Sequence, residues 1–216
     1  MYLCGQNRTK TSILSEIDNL KMYKKSITNE DLNELAVGCY RGVIVMVNHK
    51  NDVAAAMKRI MQSPVCGVDT ESVPSFRRGE KHPVALLQIA TEKTVFLIRI
   101  NKTGVTPEIV RFFESPEICK VGIALNDDVR LLNKLHSITS QNVIDLNTYC
   151  TQLGFESIGA KKLSALVLGF RISKSQQTSN WENYELSEAQ RRYAATDAWI
   201  CREIYLKLNN SPLQIL

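Results

Sequence analysis

The chain has 216 residues, 44% of them hydrophobic, enough for the core of one sizeable domain. Ten Gly and six Pro are too few for a fibrous or disordered chain. No stretch approaches the ~18 apolar residues of a membrane span. The net charge of +5 is by itself a weak pointer to a polyanionic partner.

Residues 1–25 are polar and basic, with an amphipathic helix expected near Ile13–Met22. They lack the continuous apolar segment of a secretory signal. Thr28-Asn-Glu-Asp31 is placed to cap a short helix, and VIVMV at 43–47 reads as a strand. Asn51 is expected to cap a helix through Met61. The next strand is VCGVDTE. A polar link, SFRRGEKH, then leads to two apolar, β-branched runs, PVALLQIAT and TVFLIRI, with a turn at Glu92-Lys93.

Thr106-Pro107 opens a helix in the cap-then-proline manner, ICKVGIA forms another strand, and NDDVRLLNKLH a helix beginning at its aspartates. VIDL is the last short strand expected. Beyond Leu146 the chain is helical except for a loop at about 171–186. Ser187-Glu-Ala-Gln190 is a capping box for a helix to about Leu208. Strands come first, then strands alternating with helices, then helices. That order predicts a mixed sheet flanked by helices in a single α/β domain.

The six cysteines, Cys4, Cys39, Cys66, Cys119, Cys150 and Cys201, are scattered singly with no C-x-x-C pair. They argue against a zinc site or a disulfide framework, and for free thiols in the reducing cytoplasm.

Three groups of acids stand out. Asp69 and Glu71 lie two apart in the VCGVDTE strand and therefore share a face. Two adjacent like charges either reach solvent at a strand end or share a cation. Asp127 and Asp128 open a helix, where one aspartate suffices as a cap. Tyr193 and Asp197 are four apart on the final helix, on one face, among the small residues Ala194, Ala195 and Ala198.

Asp69-x-Glu71, Asp128 and Tyr193-x-x-x-Asp197 together resemble the tyrosine (DEDDy) branch of the DEDD 3′–5′ exonuclease superfamily, which has an RNase H-like fold. VGVDTESVPSF, PVALLQIAT, VGIALNDD and SKSQQTSNWENYELSEAQRRYAATDA are similar to that family's segments, in the same order. The likeness is greatest to stand-alone bacterial proteins with a Werner-type exonuclease domain. Ribonuclease D is more distant, and its helical carboxy-terminal domains are not expected here. The histidine branch has His five positions before the last acid, and here that residue is Arg192. The family's VG-x5-D spacing selects Asp128 over Asp127.

The resemblance implies a 3′–5′ exonuclease domain at 41–210, an accessory segment at 1–40 and a tail at 211–216. It implies two divalent ions, Mg²⁺ or Mn²⁺, held by Asp69, Glu71, Asp128 and Asp197. Asp69 would bridge them, Glu71 and Asp197 would hold the ion beside the attacking water, and Asp128 the other. Tyr193 would orient that water, since a phenol of ordinary pKa near ~10 is a poor base at neutral pH. If the four acids are ligands, the remaining surface is more basic than the net charge indicates. DNA or RNA 3′ ends are the expected partners, with Arg77, Arg78, Lys81, Lys174, Asn180 and Trp181 as candidate contacts. For Trp181 a packing anchor of that loop is favoured over base stacking. Gln88 matches a family position with no assigned role. The competing reading is a non-catalytic nucleic-acid-binding module on the same fold, which would ordinarily have lost some of these acids.

Overall fold

The computed structural model describes residues 21–74, 82–209 and 213–215. A strand, β1 (Lys21–Tyr23), and a helix, α1 (Asn29–Glu34), precede β2 (Val43–Val47), α2 (Lys50–Ile60), β3 (Val65–Ser72), β4 (Val84–Ala90) and β5 (Thr94–Ile98). Then come α3 (Ile100–Thr103), α4 (Pro107–Glu114), β6 (Cys119–Gly122), α5 (Leu125–Asn133) and β7 (Val143–Asp145). The chain continues through α6 (Leu146–Gln152), α7 (Ala160–Leu163), a π-helical turn (Ser164–Leu168), the long α8 (Glu188–Asn209) and β8 (Leu213–Ile215).

Six strands form one mixed sheet in the order β2-β5-β4-β3-β6-β7, and β1 pairs in parallel with β8. The β3–β4–β5 meander is antiparallel; the outer pairs are parallel. The α/β expectation holds, as do the three neighbouring strands. β4 and β5 are buried along their whole length, which explains their unbroken apolar sequences. On one face α2, α4 and α5 cover the sheet with Val53, Met57, Ile60, Ile109, Phe112, Phe113 and Val129. On the other, α8 lies across β3 and β4 with Ala194, Ala195 and Ala198 against it.

The approach of α8 to β3 is possible only because residue 67 is glycine. A Cβ there would collide with the Ala198 carbonyl oxygen and crowd the Arg202 backbone nitrogen, neither of which can swing aside. Gly67→Ala is therefore expected to destabilise the fold by about 1–3 kcal/mol or more. Chemical denaturation would check this, and an unchanged midpoint would show that α8 can lift freely off the strand.

Thr28 caps α1 through the Asp31 nitrogen at 3.1 Å. Ser187 and Gln190 close the expected box on α8, at 3.2 and 3.0 Å. Asn51 is not a cap, because α2 starts at Lys50 after an extended His49. α5 begins at Leu125, ahead of its aspartates, because Ala124 turns the chain in a left-handed conformation, φ 58°. VIDL is followed by one more strand, β8. The helix expected at Ile13–Met22 gives way at its end to β1, and residues 13–20 lie outside the described ones. Among the described residues, no helix is long and apolar enough to cross a membrane.

Candidate active site

β3 outruns its parallel neighbour. β6 pairs with it only from Val65 to Gly67, so the strand's last residues extend past the end of β6. Asp69 and Glu71 occupy that extension on the face turned to α8, which is the face of Gly67. Tyr193 and Asp197 look down on them from the second and third turns of α8. One carboxylate oxygen each of Asp69, Glu71 and Asp197 lies within 4.8 Å of the others.

Asp128 arrives from the side. β6 ends at Gly122, where a Cβ would crowd the Val68 carbonyl oxygen at 2.7 Å, and the left-handed turn at Ala124 then starts α5. The VG-x5-D spacing thus has a physical basis: close strand contact, a sharp turn, then a carboxylate in the first helical turns. Asp128 stands outside the trio and accepts a 2.6 Å hydrogen bond from Thr70 Oγ1. Asp127 points the other way, exposed and paired with Arg130 at 2.7 Å. Thr70 was not anticipated as a site residue. Its place between Asp69 and Glu71 puts its side chain on the opposite face, and only the arrival of α5 gives it a partner.

Asp69, Glu71 and Asp197 open into a cleft of about 230 Å³, also lined by Thr70, Tyr193, Ile123, Ile172, Lys174, Gln177 and Cys201. Displacement of water, then mutual repulsion, dominates their electrostatics. Asp69 is pushed well above the carboxylate range, first by burial and then by Asp197, Asp128 and Glu71. Burial and the charges of Asp197 and Asp128 raise Glu71 to about 9. Asp197 is raised to about 7 by burial, against the opposing pull of the Tyr193 hydroxyl that donates to it and of the Lys174 ammonium. Burial also raises Asp128 to about 7, against the Thr70 bond. The Tyr193 hydroxyl is raised too, by burial and by the acids around it, so it stays protonated as a donor. Lys174 is the one cation lining this cleft among the described residues. Such a crowd of hard oxygen ligands fits a divalent cation: charge of that size is what would let them all ionise together.

The remaining candidates fare differently. Arg77, Arg78 and Lys81 lie outside the described residues. Asn180 is exposed and uses Oδ1 to accept from the Glu182 nitrogen at 2.9 Å. Trp181 corrects an expectation: its side chain is fully buried, so its ring is closed to a passing strand. The ring packs instead on Tyr193, centroids 6.0 Å apart. Buried Arg99 holds that loop by donating to the carbonyls of Trp181 and Asn183, at 3.4 and 2.6 Å.

A sheet-end cluster of acids under a helix-borne tyrosine defines a class of metal-dependent hydrolases, and comparison with known proteins narrows it. Residues 44–211 match the 3'-5' exonuclease family. The chain belongs to this family, within the DEDD superfamily. Among its relatives, the bifunctional 3'-5' exonuclease/ATP-dependent helicase WRN of Mus musculus is 30% identical over 70% of this chain and 11% of its own length. A 3'-5' exonuclease of Arabidopsis thaliana is 30% identical over 68% of this chain and 53% of its own. A putative 3'-5' exonuclease of Acanthamoeba polyphaga mimivirus is 29% identical, matching 68% of this chain and 40% of that protein. The chain therefore spans about half or less of these curated relatives. The fold is that of the Aedes aegypti Nibbler EXO domain, TM-score 0.72 and 24% identity, over 81% of this chain and 92% of that one. It is also that of Escherichia coli RNase D, TM-score 0.68 and 21% identity, over 76% and 45%. Exonucleases of this family work with divalent metals, and this site holds the carboxylates for them.

Proposed function

We propose that this chain removes nucleotides one at a time from the 3′ end of DNA or RNA, releasing nucleoside 5′-monophosphates. The observation that carries the reading is the meeting of Asp69, Glu71, Asp197 and Tyr193 at one cleft, with Asp128 held beside them by Thr70 and near enough for its charge to act on Asp69 and Glu71. Asp69, Glu71, Asp128 and Asp197 would hold the divalent ions, two of Mg²⁺ or Mn²⁺. Such ions supply charge relief to the scissile phosphate and an acidified water. Asp69 is central to the cluster, its carboxyl feeling all three other acids. Tyr193 keeps its proton and orients the attacking water through its hydroxyl, with the buried Trp181 ring fixing the angle of the phenol. Lys174, at the cleft wall, is placed to contact a backbone phosphate. Arg77, Arg78 and Lys81 are proposed as further phosphate contacts on the strength of their sequence position alone.

The same proposal includes the division at residues 40 and 210, and a cytoplasmic setting. Tyr23 and Leu32 are buried against the rest of the chain, so the accessory segment is expected to add stability. Cys39, Cys66, Cys119, Cys150 and Cys201 are free thiols, which suits a reducing compartment.

The test uses 5′-labelled DNA and RNA strands with Mg²⁺ or Mn²⁺. A ladder shortening from the 3′ end, abolished by EDTA and stalled by a blocked 3′ terminus, is the expected result. Tyr193→Phe should slow it about 10²–10⁴-fold with little change in strand binding. Binding of both strands without cleavage would replace this reading with the non-catalytic module.

A further inference from the structure

Gln88 sits in the middle of β4, fully buried, and neither polar atom of its carboxamide has a hydrogen-bond partner among the described residues. A buried carboxamide with both groups unpaired is costly and rare, and such orphans ordinarily mark a partner that arrives later. The sheet register says which partner. Gln88 stands directly opposite Asp69 on β3 and Leu97 on β5. Residues paired across an antiparallel ladder share a face, with Cβ atoms about 4.5–5.5 Å apart. Around it on that face pack Leu86 and Ala90 of the same strand and Ala194, Ala195 and Ala198 of α8. The carboxylate of Asp69 stands directly across from it and can accept a hydrogen bond, with Glu71 one diagonal step further on.

We propose that Gln88 is a positioning residue for Asp69: in the metal-loaded site its Nε2 donates to the Asp69 carboxylate and fixes the oxygens that face the cation. The inference rests on the metal-dependent reading above. An ionised Asp69 needs a donor for the lone pairs that the cation does not use, and the β4 residue across from it is Gln88. Groups that orient a metal ligand in this way commonly change metal affinity about 10–100-fold.

Metal-free and metal-loaded states separate this role from ordinary packing. Gln88→Met keeps the length of the side chain and removes the orphaned polar atoms. In EDTA the variant should melt about 2–4 °C higher than the parent, because an unpaired buried group is gone. Its Mn²⁺ dissociation constant, measured by titration calorimetry, should be about 10–100-fold weaker. Its nuclease rate should fall at low Mn²⁺ and recover as Mn²⁺ is raised. Gln88→Leu should show the same opposite signs. Equal Mn²⁺ affinity in parent and variants would overturn the proposal, as would a lower melting temperature in EDTA. If the parent itself takes up no Mn²⁺, the metal-dependent reading falls and takes this inference with it.

Discussion

Replacing Asp69 with Asn is expected to lower the 3′–5′ exonuclease rate by about 10³-fold or more, while making the metal-free protein more stable near neutral pH. The two effects have one origin. Asp69 lies at the centre of four acids and is held far above the ordinary carboxylate range by burial and by its neighbours. Asn keeps the shape and removes the charge. Loss of a carboxylate that would hold the divalent ions would forfeit several kcal/mol of charge relief, and each 1.36 kcal/mol is worth about tenfold in rate. Without metal, Asp69 must take up a proton on folding near neutral pH, because burial and its neighbours disfavour its charge, and Asn does not carry that cost. Calorimetric melting in EDTA beside a single-turnover assay in Mg²⁺ would measure both. A variant that lost activity and stability together would show that Asp69 holds the fold and not the cation.

A second large effect concerns pH. In the unfolded chain, Asp and Glu ionise near pH 4. In the folded, metal-free chain, Glu71 is raised to about 9, and Asp128 and Asp197 to about 7. Groups with raised folded pKa values favour the native state at low pH. Their contribution is fully present below about pH 4 and declines as pH rises toward about 9. The melting temperature in EDTA should therefore fall between pH 5 and pH 9. Saturating Mn²⁺ should restore it, most strongly at the alkaline end, because the ligands must be deprotonated to bind. Binding near pH 6–7 should release protons, visible as a calorimetric heat that depends on the buffer. A melting curve in EDTA indifferent to pH over this range would contradict the crowding of the four acids.

Most of the fold could be read from local pattern. PVALLQIAT and TVFLIRI are largely apolar runs, as strands buried on both faces are, and they form β4 and β5; the β-branched VIVMV forms the edge strand β2, which stays partly exposed. The box at Ser187 and Gln190 marked the start of α8 to the residue. Boundaries set by backbone conformation were less visible. The left-handed Ala124 has no signature in its side chain, so the start of α5 was placed late. The pairing of β1 with β8 joins opposite ends of the chain and leaves no mark in either segment. Within the site, Asp69, Glu71, Tyr193 and Asp197 followed from spacing plus family likeness, and their convergence follows from the sheet. Trp181 was read both ways, and burial in the core decides for packing. Thr70 and Gln88 owe their places to neighbours supplied by distant strands and helices, which one sequence read locally does not reveal.

The cleft draws its acids from β3, α5 and α8, so its two ends are separated by on the order of a hundred residues of chain. No fragment short of α8 contains a working centre, and a partly folded chain holds scattered carboxylates only. If the chain acts as proposed, its nuclease activity would be tied to completion of folding. During synthesis, a chain still lacking its last long helix would emerge beside the messenger and ribosomal RNA as an inert polypeptide. It would become capable of cutting only when α8 docks through Gly67 onto the strand that was made far earlier.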